Sequence, residues 1–81
     1  MRKSIHSPPY LLLRQRLVSA RLHSNLTQEQ LAARLGRPQS YVAKYEIGDR
    51  RLDVVELLEV CRNLNLDARQ LLSDVQESLG D

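Results

Sequence analysis

Gln28-Glu29-Gln30-Leu31-Ala32-Ala33-Arg34-Leu35-Gly36-Arg37-Pro38-Gln39-Ser40-Tyr41-Val42-Ala43-Lys44-Tyr45-Glu46-Ile47 is the stretch on which the reading of this chain turns. Two helices that cross steeply through a turn of three or four residues need particular side chains. The first helix needs a small residue at the crossing, and Ala32 supplies it. The turn needs a residue that enters the left-handed region cheaply, and Gly36 supplies that. The second helix needs a β-branched apolar residue facing back, and Val42 has that shape. Leu31 and Leu35 fill the space below. Each requirement alone is weak, but the spacing of Ala32, Gly36 and Val42 meets all three together.

Outward from this stretch the chain reads as helices throughout. Thr27 with Gln30 forms a capping box that starts a helix over 28–35. Pro38 opens the next, over 38–46. Proline has no side chain that can cap, so Arg37 is the expected cap. On the N-terminal side, Ser7 before Pro8-Pro9 marks the start of a helix over 8–23, because the first helical N–H groups have no intrahelical partner. Leu13, Leu17 and Ala20 repeat on one face of it, and Asn25 ends the pattern. On the C-terminal side, Asp53 caps a helix over 54–63 with Val54, Leu57, Leu58 and Cys61 apolar. Asn65 makes a turn, and Asp67 caps a helix over 68–79 with Leu71, Leu72, Val75 and Leu79, stopped at Gly80. No stretch reads as a strand. The expected fold class is all-α: a flexible arm over 1–7, then one compact five-helix domain over 8–81. Such short helices need tertiary packing to persist.

Composition narrows the function. The 81 residues contain no Trp, no Phe and one cysteine, Cys61. The core is therefore aliphatic, no internal disulfide can form, and Cys61 reads as a small buried apolar group. His6 and His23 are too few for a zinc site. No Ser/His/Asp or Cys/His constellation and no phosphate-cradling glycine loop is present, so an enzyme, a cofactor and a metal are not expected. No run approaches the ~18 apolar residues of a membrane span, and Leu11-Leu12-Leu13 is too short for a signal-peptide core. The expected location is the cytoplasm. The net charge of +2 conceals an asymmetry: residues 1–51 carry ten Lys/Arg and three Asp/Glu, a balance of +7, whereas residues 52–81 carry two and seven, a balance of −5. A basic half beside an acidic half suggests one surface for a polyanion and one kept away from it.

With these residues in view, the chain resembles the helix-turn-helix domains of the lambdoid phage repressors and Cro, and of the bacterial regulators of the xenobiotic-response-element family. The resemblance spans about Leu13 to Leu72. It is most specific at Leu26-Thr27-Gln28 through Leu35-Gly36, at Gln39-Ser40, and at Tyr45-Glu46-Ile47-Gly48. It implies a lambda-repressor-like bundle of five helices with the motif over about 27–46 and the third helix in the major groove. Gln28 then falls where the family holds a phosphate and braces the recognition helix, and Gln39 where it sets a glutamine on adenine N6 and N7. Arg50 and Arg51 fall in a loop used on the sugar–phosphate backbone. Arg21 and Glu46 fall where the family has an ion pair. The family often has a polar residue where Ile47 stands, and that role is not carried over.

Other candidates come from position and chemistry. Ser40 and Lys44 share the exposed face of the third helix, and lysine can donate to guanine. Arg37 is a basic group beside the DNA, and Arg14 is a further phosphate candidate. Tyr41 has two readings, contact with a phosphate or thymine methyl, or packing on a neighbouring helix. Tyr45 reads as packing. The expected function is sequence-specific binding of double-stranded operator DNA by a transcriptional regulator, a repressor in the first reading. The alternatives are a DNA-binding antitoxin and a protein-interaction adaptor on the same fold. An adaptor would carry acidic or apolar residues at 39, 40 and 44, where this chain is polar or basic. Leu71 and Leu72 are expected to close the core. Val75 and Leu79 continue the stripe, which makes the segment over 67–79 a candidate homodimer seam, with Tyr10, Leu11 and Leu12 nearby.

Overall fold

Short helices begin and end where side chains can satisfy their unpaired backbone groups, and four of the five starts here do so with a side chain. The computed structural model describes residues 7–80. Five helices follow in order: α1 Pro8–His23, α2 Gln28–Leu35, α3 Gln39–Ile47, α4 Val54–Asn63 and α5 Ala68–Ser78. Ser7 is the N-cap of α1, so it belongs to the domain. The rest of the expected arm, Arg2 and Lys3 included, lies outside the described residues. Thr27 with Gln30 and Asp53 with Glu56 form reciprocal capping boxes, and the Asp67 carboxylate accepts from the Arg69 and Gln70 amides.

The exception is α3. Pro38 itself is the N-cap, extended at φ −65°, ψ 154°, with no side-chain hydrogen bond. The expected cap at Arg37 and helical start at Pro38 are therefore corrected by one residue. The ψ of Pro38 is extended, its carbonyl accepts from the Tyr41 amide at 3.0 Å, and helical geometry begins at Gln39. α3 also runs one residue further than expected, to Ile47, and α5 stops at Ser78.

The exits follow one device. Gly36 (φ +68°) and Gly48 (φ +88°) end α2 and α3 in the left-handed region. Asn25 (φ 57°) and Asn65 (φ 53°) do the same beyond α1 and α4. After each asparagine the next amide, Leu26 or Leu66, donates back to Arg21 or Cys61 across the helix end, the closure of a Schellman turn. Asn-Leu-Thr at 25–27 and Asn-Leu-Asp at 65–67 are thus the same joint: a left-handed stop, an apolar plug and the cap of the next helix.

The core is aliphatic with two tyrosines. Leu17, Leu31, Val42, Tyr45, Val60, Cys61 and Leu71 are fully enclosed. Ala32 and Val42 are both buried at the α2–α3 crossing, as their spacing predicts. Truncating one of the enclosed leucines to alanine would cost about 2–5 kcal/mol. One expectation for the acidic half needs correction. Leu72 does not close the core but is 44% exposed; on α4 the apolar Val54 and Leu58 are exposed too. Leu57, Val60 and Cys61 occupy the inward face of α4, so Leu58, about a third of a turn from Leu57, has no room there, whereas Val54, seven residues before Cys61, is exposed as the first residue of the helix. Val75 packs partly on the core, and Leu79 is exposed.

Candidate nucleic-acid interface

The nine residues of α3 divide between two faces. Tyr41, Val42 and Tyr45 are buried, whereas Gln39, Ser40, Lys44 and Ile47 are exposed. Positions 40, 44 and 47 are one helical turn apart, so they line one outward strip. This strip presents amide, hydroxyl, ammonium and apolar chemistry on a helix held by its other side against α1 and α2.

What holds it is a chain of hydrogen bonds running from α1 to the surface. Arg21 Nε donates to Glu46 Oε2 at 2.7 Å, and Arg21 Nη2 to Glu46 Oε1 at 3.1 Å. A third N–H of Arg21 donates to the Leu26 carbonyl at 2.8 Å. The two side chains are only 11% and 6% exposed. The bond to Glu46 holds the Arg21 guanidinium above its ordinary pKa against the opposing effect of burial. Glu46 Oε1 also accepts from Gln28 Nε2 at 2.8 Å, and Gln28 Oε1 accepts from Gln39 Nε2 at 3.3 Å. The structure therefore brings Arg21, Glu46, Gln28 and Gln39 into one line across α1, α2 and α3.

A second cluster surrounds Tyr41. The guanidinium groups of Arg37 and Arg50 each lie 4.6 Å from its ring centroid. The ring also meets Tyr45 edge-on at 5.9 Å. Tyr41 is 7% exposed, and burial pushes its hydroxyl pKa up. Of its two readings, packing is the one its burial matches. Arg50 makes a two-pronged pair with Glu56 at 3.1 and 2.8 Å. Arg37 lies 3.7 Å from both Glu56 and Glu59. Arg37, expected as an exposed group beside the DNA, is thus half-buried and engaged. Its place at the turn directs it over Tyr41 toward α4. Glu56 accepts from Arg50 and from the Asp53 amide, and these bonds lower its pKa to about 2.

Arg51 is exposed, its guanidinium 5.5 Å from the Tyr10 ring, while the Tyr10 hydroxyl accepts from the Leu52 amide at 3.0 Å. The loop 48–53 is so tied to α1 on one side and to α4 on the other. Arg14 lies over Gly48, where a Cβ would run into its guanidinium. A cation there also faces the C-terminal end of α3, where helix carbonyls favour positive charge. Among the predicted cations, Lys44 and Arg51 are exposed, and Arg14, Arg37 and Arg50 are half-buried.

Sequence reasoning missed two residues of this region. Ile47 is 65% exposed on the outward strip of α3. Glu56 organises the Tyr41 cluster; its signal was the Asp53-x-x-Glu56 spacing, of which only the cap was read.

Comparison with known proteins agrees with this geometry. Residues 17–71 match the family model described as Helix-turn-helix. No curated protein matches the chain. Among solved structures, the chain is similar to an XRE-family like protein from Pseudomonas syringae pv. tomato, at 45% identity over 96% of this chain and 94% of that one, with a TM-score of 0.84. It is also similar to the restriction-modification controller protein C.AhdI from Aeromonas hydrophila, at 34% identity over 82% of this chain and 99% of that one, with a TM-score of 0.69.

Proposed function

The chain belongs to the XRE-type helix-turn-helix family of DNA-binding transcriptional regulators, and from that premise we propose that it binds a specific, roughly palindromic operator as a homodimer and represses by occupying it. The observation that carries this reading is the outward strip of α3, with Gln39, Ser40 and Lys44 exposed while the opposite face is fully packed. A rigid helix with exposed donors and acceptors suits the major groove, where each base pair offers a distinct pattern. Of the predicted cations, Arg51 is exposed for a phosphate and Lys44 for a phosphate or a base edge, and Arg14, Arg37 and Arg50 are half-buried behind them. Ser40 joins Gln39 and Lys44 as a base-edge candidate, and Gln28 keeps spare hydrogen-bonding capacity for a backbone phosphate.

Dimerisation rests on the acidic half. One recognition helix spans few base pairs, and two placed about 34 Å apart double the sequence read. α5 exposes Leu72, its C-cap exposes Leu79, and α4 exposes Val54, Val55 and Leu58. Val75, partly packed on the core, serves as the floor of this seam and Leu79 as its rim. The reading takes these side chains as one patch that a second copy of the chain covers.

Selection from random duplexes followed by a salt titration tests the binding reading. If each subunit neutralises about four phosphates, the slope of log K on log salt should be near −7 for a dimer, at roughly −0.9 per phosphate. A flat salt dependence with no enriched sequence would refute it. Sedimentation tests the seam. The wild type should be dimeric at tens of micromolar, and a Leu72→Asp, Leu79→Asp variant should be a folded monomer. A wild type that stays monomeric, even when cross-linked on the selected site, would remove the dimer.

A further inference from the structure

We infer that the outward groove of α1 is a binding site for a small apolar carboxylate, with Arg14 holding the carboxylate and Val18 and Leu22 covering the chain.

The sequence supplies the groove. Leu11, Gln15, Val18 and Leu22 follow one another at spacings of four, three and four residues, which sets them in one stripe along a helix. Leu13 and Leu17 turn another face of α1 to the core, so the stripe faces outward. Leu11 and Leu22 are 41% and 59% exposed. Between this stripe and Glu46 of α3 lies a groove of about 290 Å³, at the lower end of small-molecule sites. No residue of α4 or α5 lines it, so it is separate from the seam proposed for a second copy.

Arg14 gives the groove its chemistry. α1 carries three arginines. Arg16 is paired with Asp74 at 2.7 Å, and Arg21 with Glu46 at 2.7 Å. Arg14 is half-buried and has no hydrogen bond or ion pair among the described residues, and its Nε is covered without an acceptor. A guanidinium only donates, so only an acceptor can satisfy it. The acid on the groove wall is Glu46, and its two oxygens are taken by Arg21 and Gln28. The partner that suits the groove is therefore an anion from outside the domain. A carboxylate matches the planar fork of a guanidinium, and an apolar tail matches the stripe. From Arg14 to Leu22 α1 rises about 12 Å, the length of an acyl chain of about eight to ten carbons. A DNA phosphate would use Arg14 but leave Val18 and Leu22 uncovered.

The same guanidinium lies over Gly48, the left-handed stop of α3. A carboxylate that draws it into the groove takes positive charge from the carbonyl end of α3, where that charge is favourable. Ligand and operator then oppose each other, each lowering the affinity of the other by the same factor.

Octanoate titrated into the full chain and followed by NMR tests the site. The methyl signals of Leu11, Val18 and Leu22 and the Arg14 Nε–H should shift together and saturate. Hexanoate should bind more weakly, by roughly two- to fourfold for each methylene removed. Octanol, with the tail alone, and octyltrimethylammonium, with the opposite charge, should bind about tenfold more weakly or worse, because a charge-assisted bond is lost. Arg14→Met keeps an apolar stem and should bind octanoate no better than octanol. Equal binding of octanol and octanoate by the wild type, or shifts that gather on Val54, Leu58 and Leu72 instead, would overturn the inference. So would an Arg14→Met protein that binds duplex DNA more weakly while octanoate gives no saturable shift in the wild type, since the guanidinium would then serve a phosphate. Urea unfolding accompanies each variant. If Arg14→Met does not fold, Leu22→Gln decides, at a position 59% exposed: octanoate affinity should fall severalfold, and an unchanged affinity would remove the site. Saturating octanoate should also weaken binding to a selected duplex by about fivefold in the wild type and not in Arg14→Met. No change in the wild type, or the same change in both, would overturn the link to α3.

Discussion

Two arginine–glutamate pairs organise two regions of this molecule, and they differ in what lies around them. At the junction of α1, α2 and α3, Arg21 and Glu46 are 11% and 6% exposed, and every near neighbour they bond belongs to the helix-turn-helix or its support. At the start of α4, Arg50 and Glu56 are 35% and 14% exposed and hold the loop 48–53 instead. Both pairs are two-pronged, and their distances are similar. The difference teaches that geometry alone does not set the value of an ion pair. In the first region the charges are out of water, so each depends on the other. In the second, water screens the attraction and replaces a lost partner.

The largest expected effect breaks the first region. Glu46→Ala leaves the Arg21 guanidinium enclosed without its carboxylate and should cost about 3–5 kcal/mol of stability. Urea unfolding measures it. Glu56→Ala, on the same scale, should cost about 1 kcal/mol. Equal losses would mean that burial does not separate the two pairs.

Next in size are the effects on DNA. Gln39, at the end of the line from Glu46, should carry sequence information, whereas Arg51, on the loop of the second region, should carry only affinity. Gln39→Ala should lose about 1–3 kcal/mol, concentrated at one base position. Arg51→Ala should weaken binding to selected and random duplexes alike, and make the salt slope shallower by roughly one unit. Competition titrations with both duplexes check this. Equal losses on both duplexes for Gln39→Ala would move it from reading to backbone contact.

Much of this was legible in the sequence, for identifiable reasons. Helix starts at Ser7, Thr27, Asp53 and Asp67 were readable because capping is local chemistry. The crossing of Ala32 under Val42 was readable because it depends on spacing alone. The Arg21–Glu46 contact came from family resemblance. What was not legible depends on competition in three dimensions. Tyr41 could have faced DNA or the core, and its burial beneath two arginines matches the second. Leu72 and Leu58 have the periodicity of core residues, yet Leu71, Leu57 and Cys61 reach the interior first. Arg37 and Arg50 read as free cations because nothing local announces that Glu56, well along the chain from Arg37 and beyond the loop from Arg50, will hold them.

The smallest effect is a dependence on pH that belongs to the second region. Glu56 titrates near 2 in the fold against 4.5 for an unperturbed side chain, because Arg50 and the Asp53 amide both donate to its ionised form. A carboxylate held below its unfolded value stabilises the fold fully above about pH 4.5, and that contribution disappears as pH falls from there through about 2. The pair is partly open to solvent, so the contribution should be about 1 kcal/mol rather than the larger figure that the whole shift would convert to. Other carboxylates titrate in the same window, so acid sensitivity of the wild type alone is uninformative. The informative quantity is the stability difference between wild type and Glu56→Gln. Glutamine keeps an acceptor for the Asp53 amide but cannot carry the charge. Urea unfolding should give a difference of about 1 kcal/mol at pH 7 that narrows toward zero as pH approaches 2. A difference that persists undiminished at pH 2.5 would place the contribution of Glu56 in the shape of its capping box, and the electrostatic contrast between the two regions would then rest on Glu46 alone.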